Sequence, residues 1–207
     1  MARRIPVVGL AGGIGAGKSE VARILESMGA AIIDSDAINR QELERPEVRE
    51  TLVRWWGPQI LRPDGSVDRG RVADIVFADR AEKSRLEALM HPRIAIRREE
   101  LMTAYRREGS VRLILLNAPL LFEAGLDGLC DAILFVDAPT EIRAARTTAQ
   151  RGWGRAEFDR REKMQWPLDL KKARSDYICN NSSDVTELRQ HVASLLARLL
   201  SDVESGG

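Results

Sequence analysis

The sequence predicts an α/β fold in which a mainly parallel sheet is covered by helices on both faces. Two patterns support this prediction. Short runs of consecutive apolar residues recur along the chain, and segments with apolar residues at helical spacing separate them. Strands that are apolar throughout are typical of parallel sheets, because both of their faces are buried. The length of 207 residues suits one such domain with one or two insertions.

The first strand and the first helix flank a glycine-rich segment. The run IPVVGLAG (5–12) predicts a buried strand that leads directly into the glycines. After Lys18, apolar residues recur at helical spacing from Val21 to Met28, and Gly29 is expected to end this helix. We therefore expect a strand, a glycine loop and a helix in direct succession.

Four further apolar runs predict the other strands of the sheet. They are AAIIDSD (30–36), VRLILLNAP (111–119), AILFVDAP (132–139) and the weaker DYICNN (176–181). The first of these ends in Asp34 and Asp36, whose side chains point to the same side if strand geometry persists. Because the carboxyl ends of parallel strands surround the ligand crevice, we expect both carboxylates there. Either one can accept a proton from a substrate hydroxyl or hold Mg²⁺ through water; a turn or cap role is the alternative.

Two segments interrupt the alternation of strands and helices. Residues 39–109 contain helical patterns without a strand, and we interpret them as a helical insertion on the sheet rather than a separate domain. Within them, RPDGS (62–66) is typical of a turn. Residues 140–173 are dense in arginine and form a second insertion. The core of the single predicted domain then consists of residues 1–38, 110–139 and 174–207.

Two local signals concern individual helices. In His91-Pro92, the proline disfavours helical backbone at His91, so the long helix is expected to kink or restart there. A lone histidine is more often structural than catalytic, although such a break can line a pocket. Near the carboxyl terminus, Asp184 and Glu187 form a capping box that opens the last helix. Its predicted apolar stripe consists of Val185, Leu188, Val192, Leu195 and Leu199.

Composition excludes several classes of protein. The chain has 32 Lys and Arg residues against 31 Asp and Glu residues, so no global field attracts nucleic acid or a membrane surface. Cys130 and Cys179 match neither a metal site nor a disulfide framework, and we expect two structural thiols in a reducing compartment. No apolar run approaches the length of a membrane span. A cytoplasmic protein is expected, and the oligomeric state stays open.

The glycine-rich segment matches the phosphate-loop pattern G-x-x-x-x-G-K-S/T, with Gly12, Gly17, Lys18 and Ser19 at the fixed positions. Glycines let the backbone N–H groups point inward as an anion-binding nest, and the following helix adds its positive end. Lys18 then supplies a charge to the β- and γ-phosphates, and the Ser19 hydroxyl can bind Mg²⁺. A purely structural glycine turn is the alternative.

The phosphate loop alone does not distinguish a switch, a motor and a kinase. A GTPase would need a guanine-reading N-K-x-D motif, which we do not find. A motor would usually carry an acidic residue at the end of a later strand, whereas the run LILLNAP presents Asn117 there. A small kinase instead needs an acceptor pocket, a carboxylate for the hydroxyl proton and a mobile cationic cover.

The arginine-rich segment 140–173 is a candidate for such a cover. Arginines on a hinged segment can close over the transferring phosphoryl group, neutralise its charge and exclude water. Arg146 and Arg151 are the leading candidates, followed by Arg155 and Arg161. A solvated helical hairpin explains many charge runs of this kind and is the alternative.

The motifs taken together resemble the dephospho-CoA kinase family over nearly the whole chain. The segments that carry the resemblance are GLAGGIGAGKS (9–19), IIDSDAINR (32–40), DGSVDRGRVADIVFAD (64–79), LEALMHPRI (86–94), APLLFEAGL (118–126), Arg161-x-x-x-Gln165 and SDYICNN (175–181). The phosphate loop is common to many proteins. The combination of H-P-x-I and P-L-L-F-E with D-x-D is far more specific to this family.

The resemblance implies a three-layer P-loop kinase fold with a helical CoA-binding insertion (39–109) and an arginine-rich lid (140–173). It implies Mg²⁺-dependent transfer of the γ-phosphoryl group of ATP to the ribose 3′-hydroxyl of dephospho-CoA, with Asp36 as the general base beside Lys18 and Arg146. The implied ATP-binding residues are Gly13, Ile14, Gly15, Ala16, Gly17, Lys18, Ser19, Glu20, Arg146 and Asn181, the last at the adenine. The implied acceptor-site residues are Asp36, His91, Arg93, Leu120, Phe122 and Glu123.

Some positions depart from the family pattern. Ala11 and Glu20 stand where the family often has threonine, and Glu20 can either weaken ATP binding by repulsion or bind Mg²⁺. Asn39 and Ser175 each replace alanine. Two other functions therefore remain open on the sequence: a P-loop kinase for another small acceptor, and an ATP-binding regulatory module without turnover.

Overall fold

The computed structural model describes residues 4–205. The chain forms two compact units. One contains the chain up to Asp34 and from Ala104 onward, and the other is Ser35–Thr103. The first unit holds the sheet, and the second is helical.

The five strands of the first unit form one parallel sheet, as predicted. They are β1 (Val7–Gly12), β2 (Ala30–Asp34), β3 (Leu113–Asn117), β4 (Ala132–Asp137) and β5 (Tyr177–Asn180). Their order is β2-β3-β1-β4-β5, so β1 is central, and every pairing is parallel. Because parallel strands all end at the same edge, the segment that follows β1 lies at the carboxyl edge of the sheet, beside the ends of β3 and β4.

Five helices accompany the sheet in this unit. They are α1 (Lys18–Ser27), α6 (Thr140–Arg151), α7 (Arg155–Glu162), α8 (Leu168–Ala173) and α9 (Val185–Ser205). One sheet face packs on α1 and α9 through residues such as Val8, Leu10, Val21 and Val192, all at most 1% exposed. Strand residues that point to the other face, such as Phe135, are also buried. Both faces are therefore covered, which explains the uninterrupted apolar runs.

Two predicted helix ends are confirmed. Gly29, with a φ of 95°, directly follows the C-cap residue of α1. Asp184 caps α9, because its Oδ1 atom accepts hydrogen bonds from the N–H groups of Thr186 at 2.8 Å and Glu187 at 3.0 Å. The predicted apolar stripe of α9 begins one turn late, since Val185 is 60% exposed.

The prediction that the second strand extends to Asp36 is wrong. β2 ends at Asp34, and α2 (Ser35–Leu43) begins at the next residue. Asp36 is therefore in the first turn of a helix, where a carboxylate is favoured by the positive end of the helix dipole. The two carboxylates do not share one strand face.

The second unit is helical, as predicted for most of its length. Its helices are α2, α3 (Pro46–Trp56), α4 (Arg69–Ala78) and most of α5 (Arg80–Glu108). Its apolar core includes Val48, Leu52 and Ile60, each fully buried. The predicted turn at 62–66 is present, since the N–H of Gly65 donates to the carbonyl of Arg62 at 2.9 Å.

The helix does not restart at His91-Pro92, although a restart is one of the two expected outcomes, and the expected kink stays a prediction. Both residues lie inside α5, which runs for 29 residues without interruption. A proline removes one hydrogen bond of the helix ladder, and the many bonds on either side keep the long helix in register. His91 is exposed on this helix.

Cys130 and Cys179 are not joined by a disulfide among residues 4–205; Cys179 is buried in β5, and burial raises the pKa of its thiol to about 11. No helix within residues 4–205 is both long enough and apolar enough to cross a membrane.

Candidate phosphate-transfer site

The glycine loop lies between β1 and α1, and its shape requires glycine. Gly15 and Gly17 have φ values of 73° and 90°, which other residues adopt only with strain. A Cβ atom on Gly15 would lie 2.4 Å from the backbone oxygen of Arg143, and one on Gly17 would lie 2.1 Å from Nδ2 of Asn181. Backbone conformation and close packing therefore both exclude side chains at these positions.

The side chain of Lys18 folds back over the loop. Its Nζ atom donates hydrogen bonds to the carbonyl oxygens of Gly12 at 2.8 Å and Gly13 at 2.9 Å. The pKa of Lys18 is lowered to about 8, because burial disfavours the ammonium form and because the positive charges of Lys171 and Arg151 repel it. The Lys18 ammonium group thus lies against the loop near other positive charges, and this environment favours the binding of an anion.

Asn181 and Arg146 support the carboxyl-terminal half of the loop. The Ala16 carbonyl accepts a hydrogen bond from Nδ2 of the buried Asn181 at 2.8 Å and from Nη1 of Arg146 at 3.4 Å. Arg146 also donates to the backbone carbonyl of Asn181 at 3.1 Å. Two residues predicted at the nucleotide are therefore brought together against the loop, from α6 and from the end of β5.

Arg143 lies closer to the loop than any arginine that the sequence singled out, and sequence reasoning missed it. It is 2% exposed. Its guanidinium donates to the carbonyls of Ala138 at 3.1 Å and Ile14 at 3.2 Å, and it forms an ion pair with Glu162. A guanidinium this deeply buried needs such a complete set of acceptors.

The other predicted lid arginines occupy different surroundings. Arg151 and Arg161 lie over the ring of Trp153, with 4.8 Å and 4.3 Å between guanidinium carbon and ring centroid. Arg155 is on the surface, and its Nη1 atom donates to both carboxylate oxygens of Glu141, at 2.9 Å and 3.0 Å. The positive charge of Arg151 is among the causes that lower the pKa of Lys18.

Glu123, predicted at the acceptor, forms an ion pair with a buried lysine in this unit. Its Oε1 atom accepts from Nζ of Lys171 at 2.7 Å and from the N–H of Trp166 at 2.8 Å. Lys171 is 2% exposed and also donates to Oε1 of Gln165 at 3.2 Å. Burial raises the pKa of Glu123, but the hydrogen bonds from Lys171 and Trp166 outweigh it and hold that pKa below its usual value. Sequence reasoning missed Lys171 because it appears there as part of a charge run.

Phe122 and Leu120, from the same segment as Glu123, have different surroundings. Phe122 is buried and stacks on Trp166, with 6.1 Å between ring centroids and 9° between planes. Leu120 is 45% exposed. Arg174 covers both rings, at 5.8 Å from Phe122 and 5.5 Å from Trp166.

The carboxylate of Asp34 lies at the carboxyl end of β2. It accepts a hydrogen bond from Nδ2 of Asn117 at 2.8 Å, its neighbour in the sheet register. No group of three or more His, Cys, Asp or Glu side chains suited to a metal occurs among residues 4–205. Ser19 is exposed in the first turn of α1, and the Glu20 carboxylate forms an ion pair with Arg23 one turn along.

In the helical unit, the predicted site residues are of two kinds. Asp36 and His91 are exposed. Arg93 forms ion pairs with Glu47 and with the buried Glu42, the latter with 3.2 Å between Nε and Oε2. The charge of Arg93 is thus already balanced within this unit.

Comparison with known proteins identifies the family. Residues 6–187 match the family model described as dephospho-CoA kinase. The chain belongs to the dephospho-CoA kinase family. A dephospho-CoA kinase from Thermobifida fusca is 40% identical over 194 residues, which cover 93% of this chain and 95% of the relative.

Solved structures share the fold of this chain. A Thermus thermophilus protein superposes with a TM-score of 0.79 at 32% identity, covering 95% of this chain and 99% of the other. Dephospho-CoA kinase from Campylobacter jejuni has a TM-score of 0.72 at 22% identity, covering 95% and 98%, and supports the fold. This dephospho-CoA kinase family member is therefore a kinase with the predicted α/β architecture.

Proposed function

We propose that this kinase transfers the γ-phosphoryl group of ATP to the ribose 3′-hydroxyl of dephospho-CoA, giving coenzyme A and ADP in the last step of coenzyme A synthesis. The observation that carries the proposal is the Lys18 ammonium, held over the glycine loop by two backbone carbonyls, in a chain of the dephospho-CoA kinase family. The glycine loop and Lys18 form a site for the phosphates of ATP. We infer the acceptor, dephospho-CoA, from the family to which the chain belongs.

The proposed ATP site consists of the glycine loop and the side chains that contact it. Backbone N–H groups of residues 13–20 and the amino end of α1 surround the β- and γ-phosphates. Lys18 leaves its carbonyl partners for the phosphates, and a phosphate group restores the charge that burial disfavours. Arg146 lies against the same loop and stabilises charge on the transferring group. The adenine role of Asn181 stays a prediction, since its side chain supports the loop backbone.

The residues present suit Mg²⁺ bound mainly by phosphate oxygens. Mg²⁺ prefers six oxygen ligands and usually keeps several waters, so it needs few protein groups. The Ser19 hydroxyl, exposed at the first turn of α1, provides one such oxygen, and Asp34 provides a carboxylate at the end of β2. When bound, the ion neutralises charge on the phosphates.

We assign the acceptor chemistry to Asp36. Its carboxylate is exposed, and it follows β2 by two residues, so it can be reached by substrate. As the general base it accepts the proton of the ribose hydroxyl while that oxygen attacks phosphorus. Positioning and charge neutralisation supply the rest of the rate enhancement, as in other phosphoryl transfers.

The acceptor site is proposed from the family pattern together with the surroundings of each residue. His91 and Leu120 expose side chains that can contact dephospho-CoA. Phe122, Glu123 and Arg93 are engaged in packing or ion pairs, so their contribution is to shape the site. We also propose that the protein is cytoplasmic, as expected for coenzyme A synthesis. The proposal includes neither nucleic acid nor a membrane as a partner.

One experiment tests the function directly. Purified protein is incubated with Mg-ATP and dephospho-CoA, and coenzyme A is detected by mass spectrometry. Adenosine, AMP and gluconate serve as alternative acceptors in the same ATP-consumption assay. Formation of coenzyme A with little turnover of the other acceptors is the expected result. Turnover of one of the others without coenzyme A formation would assign a different acceptor, and no turnover with any of them would reject the kinase activity.

A further inference from the structure

The Arg143 side chain joins three parts of the sheet-containing unit that are distant in sequence. Its guanidinium donates to the Ile14 carbonyl in the glycine loop at 3.2 Å, and to the Ala138 carbonyl after β4 at 3.1 Å. It also donates to Oγ1 of Thr140 at 3.2 Å. The fourth partner is the carboxylate of Glu162, at the end of α7.

The bond to Ile14 fixes the direction of an N–H group in the loop. The peptide bond between Ile14 and Gly15 is planar and trans, like all those in the described part of the chain, so its C=O and N–H point in opposite directions. A guanidinium that holds the Ile14 carbonyl on one side therefore directs the Gly15 N–H to the other. Gly15 has a φ of 73° and no side chain that restricts its backbone. The direction of its N–H group therefore depends on contacts made by the neighbouring peptide.

Glu162 in turn fixes the guanidinium. It forms an ion pair with Nη1, the same atom that donates to Ile14. The ring of Phe158, one turn earlier in α7, lies 5.4 Å from the guanidinium carbon and is 1% exposed. Because a buried guanidinium cannot lose its carboxylate without a large desolvation cost, the position of α7 and the position of Arg143 depend on each other.

We propose that Arg143 is a positioning residue for nucleotide binding: it orients the Ile14–Gly15 peptide so that the Gly15 N–H faces the phosphates, and Glu162 on the arginine-rich segment holds it in that geometry. The proposal rests on the proposed ATP site. It makes the segment 140–173 a determinant of loop shape, in addition to any direct contact with phosphate. The guanidinium of Arg143 donates to backbone carbonyls, Thr140 and Glu162, so its contribution to nucleotide binding is indirect.

The test is nucleotide binding, which needs no acceptor. Mg-ADP affinity is measured by titration calorimetry for wild type, Arg143→Gln, Glu162→Gln and the double variant, with thermal unfolding of each. The control is Arg160→Gln, an exposed arginine of α7 whose partner is Glu157. Loss of one charged hydrogen bond predicts affinity about tenfold weaker for Arg143→Gln and about threefold weaker for Glu162→Gln.

Non-additivity distinguishes this proposal from a merely structural role. If Glu162 acts through Arg143, the double variant binds Mg-ADP no more weakly than Arg143→Gln alone. The proposal is overturned if both single variants bind Mg-ADP like wild type, even with a lowered melting temperature, or if Arg160→Gln weakens binding equally. Should Arg143→Gln fail to fold, Glu162→Gln decides alone, since it leaves the arginine in place. Wild type that binds Mg-ADP but makes no coenzyme A would reject the proposed acceptor and leave this proposal standing.

Discussion

The ammonium group of Lys171 lies 2.7 Å from Oε1 of Glu123, and the lysine is only 2% exposed. Removing one partner of a buried ion pair leaves the other charge without compensation. We therefore expect Glu123→Gln to lower the free energy of unfolding by about 3 kcal/mol. Urea unfolding followed by circular dichroism measures this loss.

A second variant separates pairing from packing at this position. In Glu123→Gln with Lys171→Met no charge is left uncompensated, so most of the lost stability should return. The pair also predicts a pH dependence. Because the folded-state pKa of Glu123 is below 4.5, its stabilisation is complete above that pH and is lost as the pH falls through the lower folded value. If the free energy of unfolding of Glu123→Gln fell with acid as steeply as that of wild type, this role of Glu123 would be contradicted.

The lowered pKa of Lys18 predicts proton uptake when nucleotide binds. With a pKa of about 8, the free protein holds Lys18 mostly uncharged at higher pH, and bound phosphates return the proton. At about pH 8.5, binding of Mg-ADP should take up about 0.8 proton, against about 0.1 at about pH 7. Calorimetry in two buffers of different ionisation enthalpy measures the uptake. Lys18→Ala should abolish turnover and remove the uptake; near-normal turnover would refute the loop assignment.

Asp36→Asn tests the general base. The amide keeps the size of the side chain and removes the proton acceptor, so kcat should fall by about 10²-fold or more while nucleotide affinity changes little. Steady-state kinetics and Mg-ADP titration on the same preparation give both quantities. An equal loss of nucleotide affinity would make Asp36 a metal ligand instead, and an unchanged kcat would remove it from the chemistry.

Arg146→Ala tests the cation that lies against the loop. Arg146 contacts the Ala16 carbonyl and Asn181, so its loss should lower kcat by about 10²-fold through weaker stabilisation of the transferring group. The affinity for dephospho-CoA should stay nearly constant. Arg160→Ala, on the exposed face of α7, is the matched control and should leave kcat within about twofold of wild type. Equal kcat values for the two variants would contradict the role of Arg146.

Much of the sheet was predictable because its signals are local. Each strand is a run of apolar residues, and parallel strands buried on both faces need no alternation to be recognised. The end of β2 was not predictable in the same way. The residues of AAIIDSD are compatible with both a strand and a turn. Asp36 lies in α2 because Ser35 and Asp36 are favourable in the first turn of a helix. His91 shows the reverse case, where the helical hydrogen bonds on either side of Pro92 overrode a local preference.

The candidate site was predictable where spacing along the chain defines it. The positions of Lys18 and Ser19 relative to the glycines follow from the phosphate-loop motif alone, and the family follows from that motif together with the H-P-x-I, P-L-L-F-E and D-x-D segments. The arginines could not be ranked in this way, since six arginines and three lysines occur within residues 140–173. Arg143 and Lys171 became distinct only through their burial, at 2% exposure each.

The sequence by itself determined the α/β class, the phosphate loop and the family, because these depend on apolar runs and on residue types at fixed spacing. Tertiary structure decided which charges act together. Arg143 meets Ile14 and Glu162, and Lys171 meets Glu123, across long separations in the chain. The physical reason is desolvation: a charged side chain is buried only where the folded chain places acceptors around it.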